Sequence, residues 1–216
     1  MAFDTQILDL VNVDDFTDQA AMDAWATDAV KEIINILPPE LKQKCSTISI
    51  LNASNGTTLD LDGKGQVLQV TRKEASNKYF LPCREISPLN SDLANDSNSI
   101  YAASVSDPVY YQVSNSSGAS TLFVLPTPTN DEPSNVYYIG YTSVDVSSDS
   151  TIANFPDEAE YLVVLYTAIK VAESVMVSEE DPELFAPIIA TLKGDYDKGI
   201  TMLASQGIPK PQKGDK

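Results

Sequence analysis

The spacing of apolar residues changes twice along the chain, and this limits the fold more than any other feature. Met22, Trp25, Ala29, Ile33, Ile36 and Leu37 follow one another at steps of one, three or four residues, the repeat of a helix face. Thr17 or Asp18 offers an N-cap and Pro38-Pro39 stops the run, so a helix is expected near residues 18–37. After residue 46 the pattern shifts to short β-branched and aromatic runs. They fall at 47–51, 66–72, 79–86, 100–105, 109–113, 121–125 and 136–141, separated by loops of Ser, Asn, Asp, Gly and Pro. Short strands with turn-rich spacers point to an antiparallel sandwich or barrel-like sheet.

The helical repeat then returns. Pro156-Asp157-Glu158 places a proline and two acids where a first helical turn favours them, and predicts a helix over 156–178. Leu162, Val163, Val164, Leu165, Ala168, Ile169, Ala172, Val175 and Met176 cover most of its circumference, as in a helix central to its domain. Asp181-Pro182-Glu183 opens another helix over 182–205, with a stripe of Phe185, Ile188, Ile189, Leu192, Tyr196, Ile200 and Leu203. Gly207 and Pro209 end it.

The fold class that follows is α+β, a helical bundle with one N-terminal and two C-terminal helices and an inserted antiparallel β domain. Residues 1–45 and 151–206 form the bundle in this reading, 46–150 the insertion and 207–216 an extended tail. The first helix should pack against the last two, because its apolar stripe needs a partner.

Charge narrows the chemistry. Lys and Arg number 14 against 31 Asp and Glu, a formal net charge of −17, and the chain has no His. Ser-His-Asp and Cys-His nucleophile pairs and His-ligated zinc are thereby excluded. No Lys or Arg occurs between Glu85 and Ile169, which argues against sequence-independent binding to nucleic acid, since that depends on neutralising phosphates. The opening MAFDTQILDL lacks the basic start and apolar run of a signal peptide, so Cys45 and Cys83 are expected to be free thiols, with a pairing left open. The most apolar stretch, Leu162 to Val177, contains Lys170 and Glu173, so no membrane partner is expected.

Candidate sites each meet a simpler explanation. Asp60-Leu61-Asp62-Gly63-Lys64-Gly65 resembles the start of a calcium loop, but the twelfth position is Thr71 instead of an acid, and a hairpin turn explains it better. Carboxylates cluster at Asp14-Asp15, Asp131-Glu132, Asp157/Glu158/Glu160 and Glu179-Glu180-Asp181. They sit at helix starts and in polar loops, where capping and solvation account for them. Tyr110-Tyr111, Tyr137-Tyr138 and Tyr141 could line a glycan or peptide groove, although neighbours on a strand face opposite ways. No catalytic residue, cofactor or metal is expected.

Taken together, several segments resemble a known family. They are the acidic N-terminal helix with Trp25, then Val70-Thr71-Arg72, Cys83-Arg84-Glu85-Ile86 and Asp107-Pro108-Val109-Tyr110-Tyr111, and finally Phe155-Pro156-Asp157-Glu158 running on through Leu162-Val163-Val164-Leu165-Tyr166. The chain resembles the head–tail connector (adaptor) proteins in the neck of tailed bacteriophages. The resemblance implies a non-enzymatic virion protein, made in the host cytoplasm, that forms a homo-oligomeric ring, commonly of twelve copies. Such a ring docks on the portal protein, supports tail or neck proteins, and lets the genome DNA pass without specific binding. Another virion component (tail completion, tail terminator or capsid decoration) and a Tyr-rich β module that binds a glycan or cell-surface ligand are the alternatives. The tail after Gly207 carries three lysines against one acid, opposite in sign to the rest of the chain. Ile208, Lys210, Lys213 and Lys216 are therefore the expected partner-binding residues, with Ile208 as the apolar anchor.

Overall fold

The computed structural model describes residues 1–74, 79–114, 118–179 and 182–206. The protein is α+β. In chain order its first elements are α1 (Phe3–Val11), α2 (Gln19–Ile36), α3 (Pro39–Lys42), β1 (Ser46–Leu51), β2 (Thr58–Asp60), β3 (Val67–Lys73), β4 (Phe80–Pro82) and β5 (Arg84–Glu85). There follow α4 (Ser91–Asn95), β6 (Val109–Ser114), β7 (Ser120–Leu125), β8 (Ser134–Ile139), α5 (Asp157–Glu179) and α6 (Pro182–Gln206). Two compact units result, one of residues 1–45 with 141–216 and one of residues 46–140.

In the helical unit α5 is the hub, packed against α1, α2 and α6. Leu162, Val163, Val164, Leu165, Ala168, Val171 and Ala172 are all buried, on every side of the helix. The hydroxyl of Thr167, also fully buried, donates to the Val163 carbonyl at 2.9 Å, so no polar group is stranded there. Close approach of α6 depends on Gly199, where an added Cβ would collide with Leu162 Cδ2.

Asp18 caps α2 by accepting the Ala21 amide at 3.0 Å. The buried side of α2 is Met22, Ala26, Ala29, Val30, Ile33 and Ile34. The stripe expected from sequence is therefore rotated: Trp25 is only half-buried and Ile36 is exposed. Ala26 and Ala29, both 0% exposed, lie on the inward face. Helix α1 had no counterpart in the sequence reading, because nine residues give only Phe3, Ile7 and Val11 as a stripe. Its first amides are satisfied by backbone from 141–150: Phe3 donates to the Asp149 carbonyl at 3.1 Å and Asp4 to that of Val146 at 2.9 Å.

Residues 141–150, placed with the β region in the sequence reading, group with the helices. Side chains of α2 hold them, as Asp23 accepts the Val146 amide at 2.9 Å and Thr27 that of Val144 at 3.1 Å. Val144 and Val146 are buried.

The second unit is a sandwich of two four-stranded sheets, ordered β1-β8-β3-β4 and β2-β7-β6-β5. Leu51, Val70, Val136 and Tyr138 of the first sheet meet Leu122 and Val124 of the second, with Leu61 beside them. All pairs are antiparallel except β5 with β6, which is parallel. Two expectations need correction. The run 100–105 is not a strand; it follows α4 as turns and irregular backbone. Ile100 and Tyr101 are exposed and Ala103 packs against the Ala94–Val109–Leu125 cluster, so the run has no cross-strand neighbour to support a ladder. The Asp60–Gly65 turn is not a hairpin either, because β2 and β3 belong to different sheets. It is a crossing turn, with the Asp62 amide on Asp60 Oδ1 at 3.0 Å and Gly63 at φ +66.

Candidate functional site

Of the acids singled out in the sequence, Glu158 and Glu160 hold neighbouring groups in place. Glu158 receives Lys44 Nζ at 2.9 Å, a contact that holds its carboxyl below the usual range. Glu160 accepts the Ile152 amide at 2.6 Å. Asp14 and Asp15 face solvent. Glu180 and Asp181 lie outside the described residues. Among the described residues no group of three or more Cys, Asp or Glu is placed to hold a metal ion.

The tyrosines do not assemble into one groove. Tyr138 is a core residue whose hydroxyl accepts a bond from Ser49 at 3.4 Å. Tyr110 packs against the same core and donates to Glu85 Oε2 at 3.2 Å. Burial, with the Glu85 charge beside it, pushes the Tyr110 phenol up to about 12. Tyr111 stacks on Phe123 with ring centroids 5.1 Å apart. Tyr141 belongs to the other unit, where its hydroxyl reaches Asn35 Oδ1 at 3.5 Å.

Both cysteines are free. Burial pushes the Cys45 thiol up to about 11, against the opposing pull of Lys42 and Lys44, and the Cys83 thiol to about 12, against Arg72. A raised thiol value means less thiolate at a given pH. At pH 8 native protein should therefore react with iodoacetamide more slowly than protein in denaturant, on the order of a hundredfold at Cys45 and a thousandfold at Cys83. Mass spectrometry at both sites checks this; equal rates would show the thiols are not shielded.

One end of the sandwich is organised by Arg72, which is 1% exposed. Its Nη1 donates to the Pro126 carbonyl and its Nη2 to Glu132 Oε2 at 2.7 Å, so a strand residue grips both ends of the loop between β7 and β8. Within that loop the Glu132 amide bonds Thr129 Oγ1 at 3.1 Å, and Asn130 Oδ1 accepts both the amide and the hydroxyl of Ser54. The sequence shows Asp131-Glu132 as a loop carboxylate pair, and the structure ties Glu132 to the buried Arg72 of β3.

The accessible apolar groups lie elsewhere. Leu89 and Ile100 are each 91% exposed, on the excursion between β5 and β6. Beside them a recess of about 370 Å³ is lined by Arg84, Ile86, Asn90, Leu93, Ala94, Tyr101 and Val109. Ile48 and Ile50 on β1, and Tyr79 and Phe80 at β4, are also exposed. The expected partner residues Ile208, Lys210, Lys213 and Lys216 lie outside the described residues; α6 carries the chain toward them as far as Gln206.

The described residues thus leave apolar side chains accessible at two strand edges and on one excursion. The family model that matches is that of the SU10 adaptor protein, over residues 3–209. The chain belongs to the SU10 adaptor protein family, and with it to the structural adaptors of bacteriophages, virion components that join other head or tail proteins. No curated protein matches it.

Proposed function

We propose that the protein is a non-catalytic head–tail connector that forms a ring, docks on the portal protein and supports the tail around the DNA channel. The observation that carries this reading is family membership over nearly the whole chain. The exposed apolar groups on uncharged strand edges support it, because a ring needs surfaces that bury on assembly. The base-free span from Glu85 to Ile169 supports a channel through which DNA passes unbound, since an acidic wall repels phosphate. The tail from Gly207 is the docking arm in this reading, with Ile208 as anchor and Lys210, Lys213 and Lys216 meeting acidic groups on the portal.

Deleting residues 207–216 tests the arm. The isolated protein should keep its thermal midpoint within a few degrees, while co-sedimentation with portal particles falls at least tenfold. Normal infectious yield from the truncated chain would show that the arm is not the docking element. Negative-stain images of protein mixed with portal should show a ring; compact single particles under every condition would overturn the connector reading.

A further inference from the structure

The four edges of the two sheets are not equivalent. In the second sheet the edges are β2, three residues ending in Asp60, and β5, the charged pair Arg84-Glu85. Edges that carry charge in this way resist pairing with another chain. The first sheet ends on β1, six residues of sequence Ser-Thr-Ile-Ser-Ile-Leu with no charge and no proline, and on β4, Phe80-Leu81-Pro82. Ile48 and Ile50 on β1 are 46% and 48% exposed; Tyr79 and Phe80 at the other edge are 75% and 40% exposed.

Direction and face make these two edges complementary. β1, β8, β3 and β4 alternate in direction, so β1 and β4 run opposite ways. Placing β4 of one copy beside β1 of the next therefore continues an antiparallel sheet. In the second sheet the parallel β5–β6 pair makes β2 and β5 run the same way, and no such continuation exists. The faces agree as well. Arg72 pairs with Leu81 and with Ser134, and all three are turned to the sandwich interior or half-buried beside it. Phe80 and Pro82 alternate with Leu81 and face outward, as do Ile48 and Ile50, which alternate with Ser49 and the core residue Leu51. In the joined sheet Phe80 would lie on the same face as the neighbour's two isoleucines. The Cys83 amide bonds the Val70 carbonyl at 2.8 Å, so Phe80 turns its own amide and carbonyl to the free side, and Pro82 offers a carbonyl alone.

Charge limits where two such copies can touch. Each carries −17, so most surfaces repel their like, yet residues 45–59 and 79–83 contain no charged residue. We propose that neighbouring copies join edge to edge, β4 of one on β1 of the next, so that the first sheet continues from copy to copy around the ring. The inference rests on the ring reading above. A contact of this length buries on the order of a few hundred Å² per copy, short of the ~800 Å² per partner typical of a stable pairwise complex. It is thus weak between two free copies and cumulative in a closed ring, where every copy is held on both sides.

Disulfide trapping tests this. Within one chain β1 and β4 are three strand spacings apart, roughly 14 Å, too far for a disulfide. The double variants Ile48→Cys/Phe80→Cys and Ile50→Cys/Phe80→Cys are oxidised mildly on portal-bound protein and run on a non-reducing gel. At least one should give a ladder of covalent multimers beyond the dimer, while each single variant and the parent chain give none. Separately, Ile48→Lys/Ile50→Lys should leave the thermal midpoint within a few degrees and reduce ring particles at least tenfold. Rings in the images with no ladder and no loss in the lysine variant would overturn the edge-to-edge contact and leave the ring standing. Absence of rings from the parent chain would overturn both. A dimer from Ile50→Cys alone would show β1 pairing with itself, which also overturns the proposal.

Discussion

Ala168→Asp is expected to leave the helical unit unable to fold at neutral pH. Ala168 is 0% exposed on α5, the helix against which α1, α2 and α6 all pack. A carboxylate there would be buried and escapes charge only by taking up a proton, which at pH 7 costs about 4 kcal/mol for a group whose ordinary pKa is near 3.9. Extra volume in a filled core adds about 1–3 kcal/mol. The sum rivals the roughly 5–15 kcal/mol that separates a folded domain from its unfolded state. Val177→Asp on the same helix, where the side chain is 74% exposed, should cost under about 0.5 kcal/mol. Chemical denaturation of the two variants reads the difference. Similar small losses from both would mean that α5 is not the centre of its unit.

The next largest effect is expected at Arg72. Arg72→Ala removes the partner of Glu132 and of the Pro126 carbonyl and opens a cavity under the β7–β8 loop. Breaking a buried ion pair from one side typically costs about 3–5 kcal/mol. Arg72→Met/Glu132→Gln keeps the volume and removes both charges, and should recover part of that loss. Amide exchange should quicken across residues 126–133 in the single variant and less so in the double. A loss below about 1 kcal/mol in Arg72→Ala, with unchanged exchange in that loop, would contradict the clamp.

Much of the framework was legible because it depends on local repeats. Residues 18–37, 156–178 and 182–205 were expected to be helical, and the helices run Gln19–Ile36, Asp157–Glu179 and Pro182–Gln206. Their ends carry their own signals: Asp18 as a cap, acids after Pro156, prolines at 38 and 39. The resemblance to phage adaptors was likewise legible in Phe155 to Tyr166 and agrees with the family match. A nine-residue helix such as α1 holds too few apolar positions to stand out, and β2, only three residues long, holds fewer still. The run 100–105 shows the opposite error. Its composition suits a strand, but a ladder needs a neighbour, and Ile100 and Tyr101 are left exposed instead.

By itself the sequence determined the order of helix, strands and helices, the acid excess, the inward residues of α5 and the adaptor family, all properties of neighbouring residues or of composition. Only the tertiary structure decided which face of α2 turns inward, that Arg72 closes the β7–β8 loop, and that β1 and β4 end up as opposite edges of one sheet. Those outcomes depend on residues far apart in the chain, such as Arg72 with Glu132 and Ser46 with Ile139. Side-chain pattern reports burial along one segment, whereas partner and register are settled only when several segments compete for the same core.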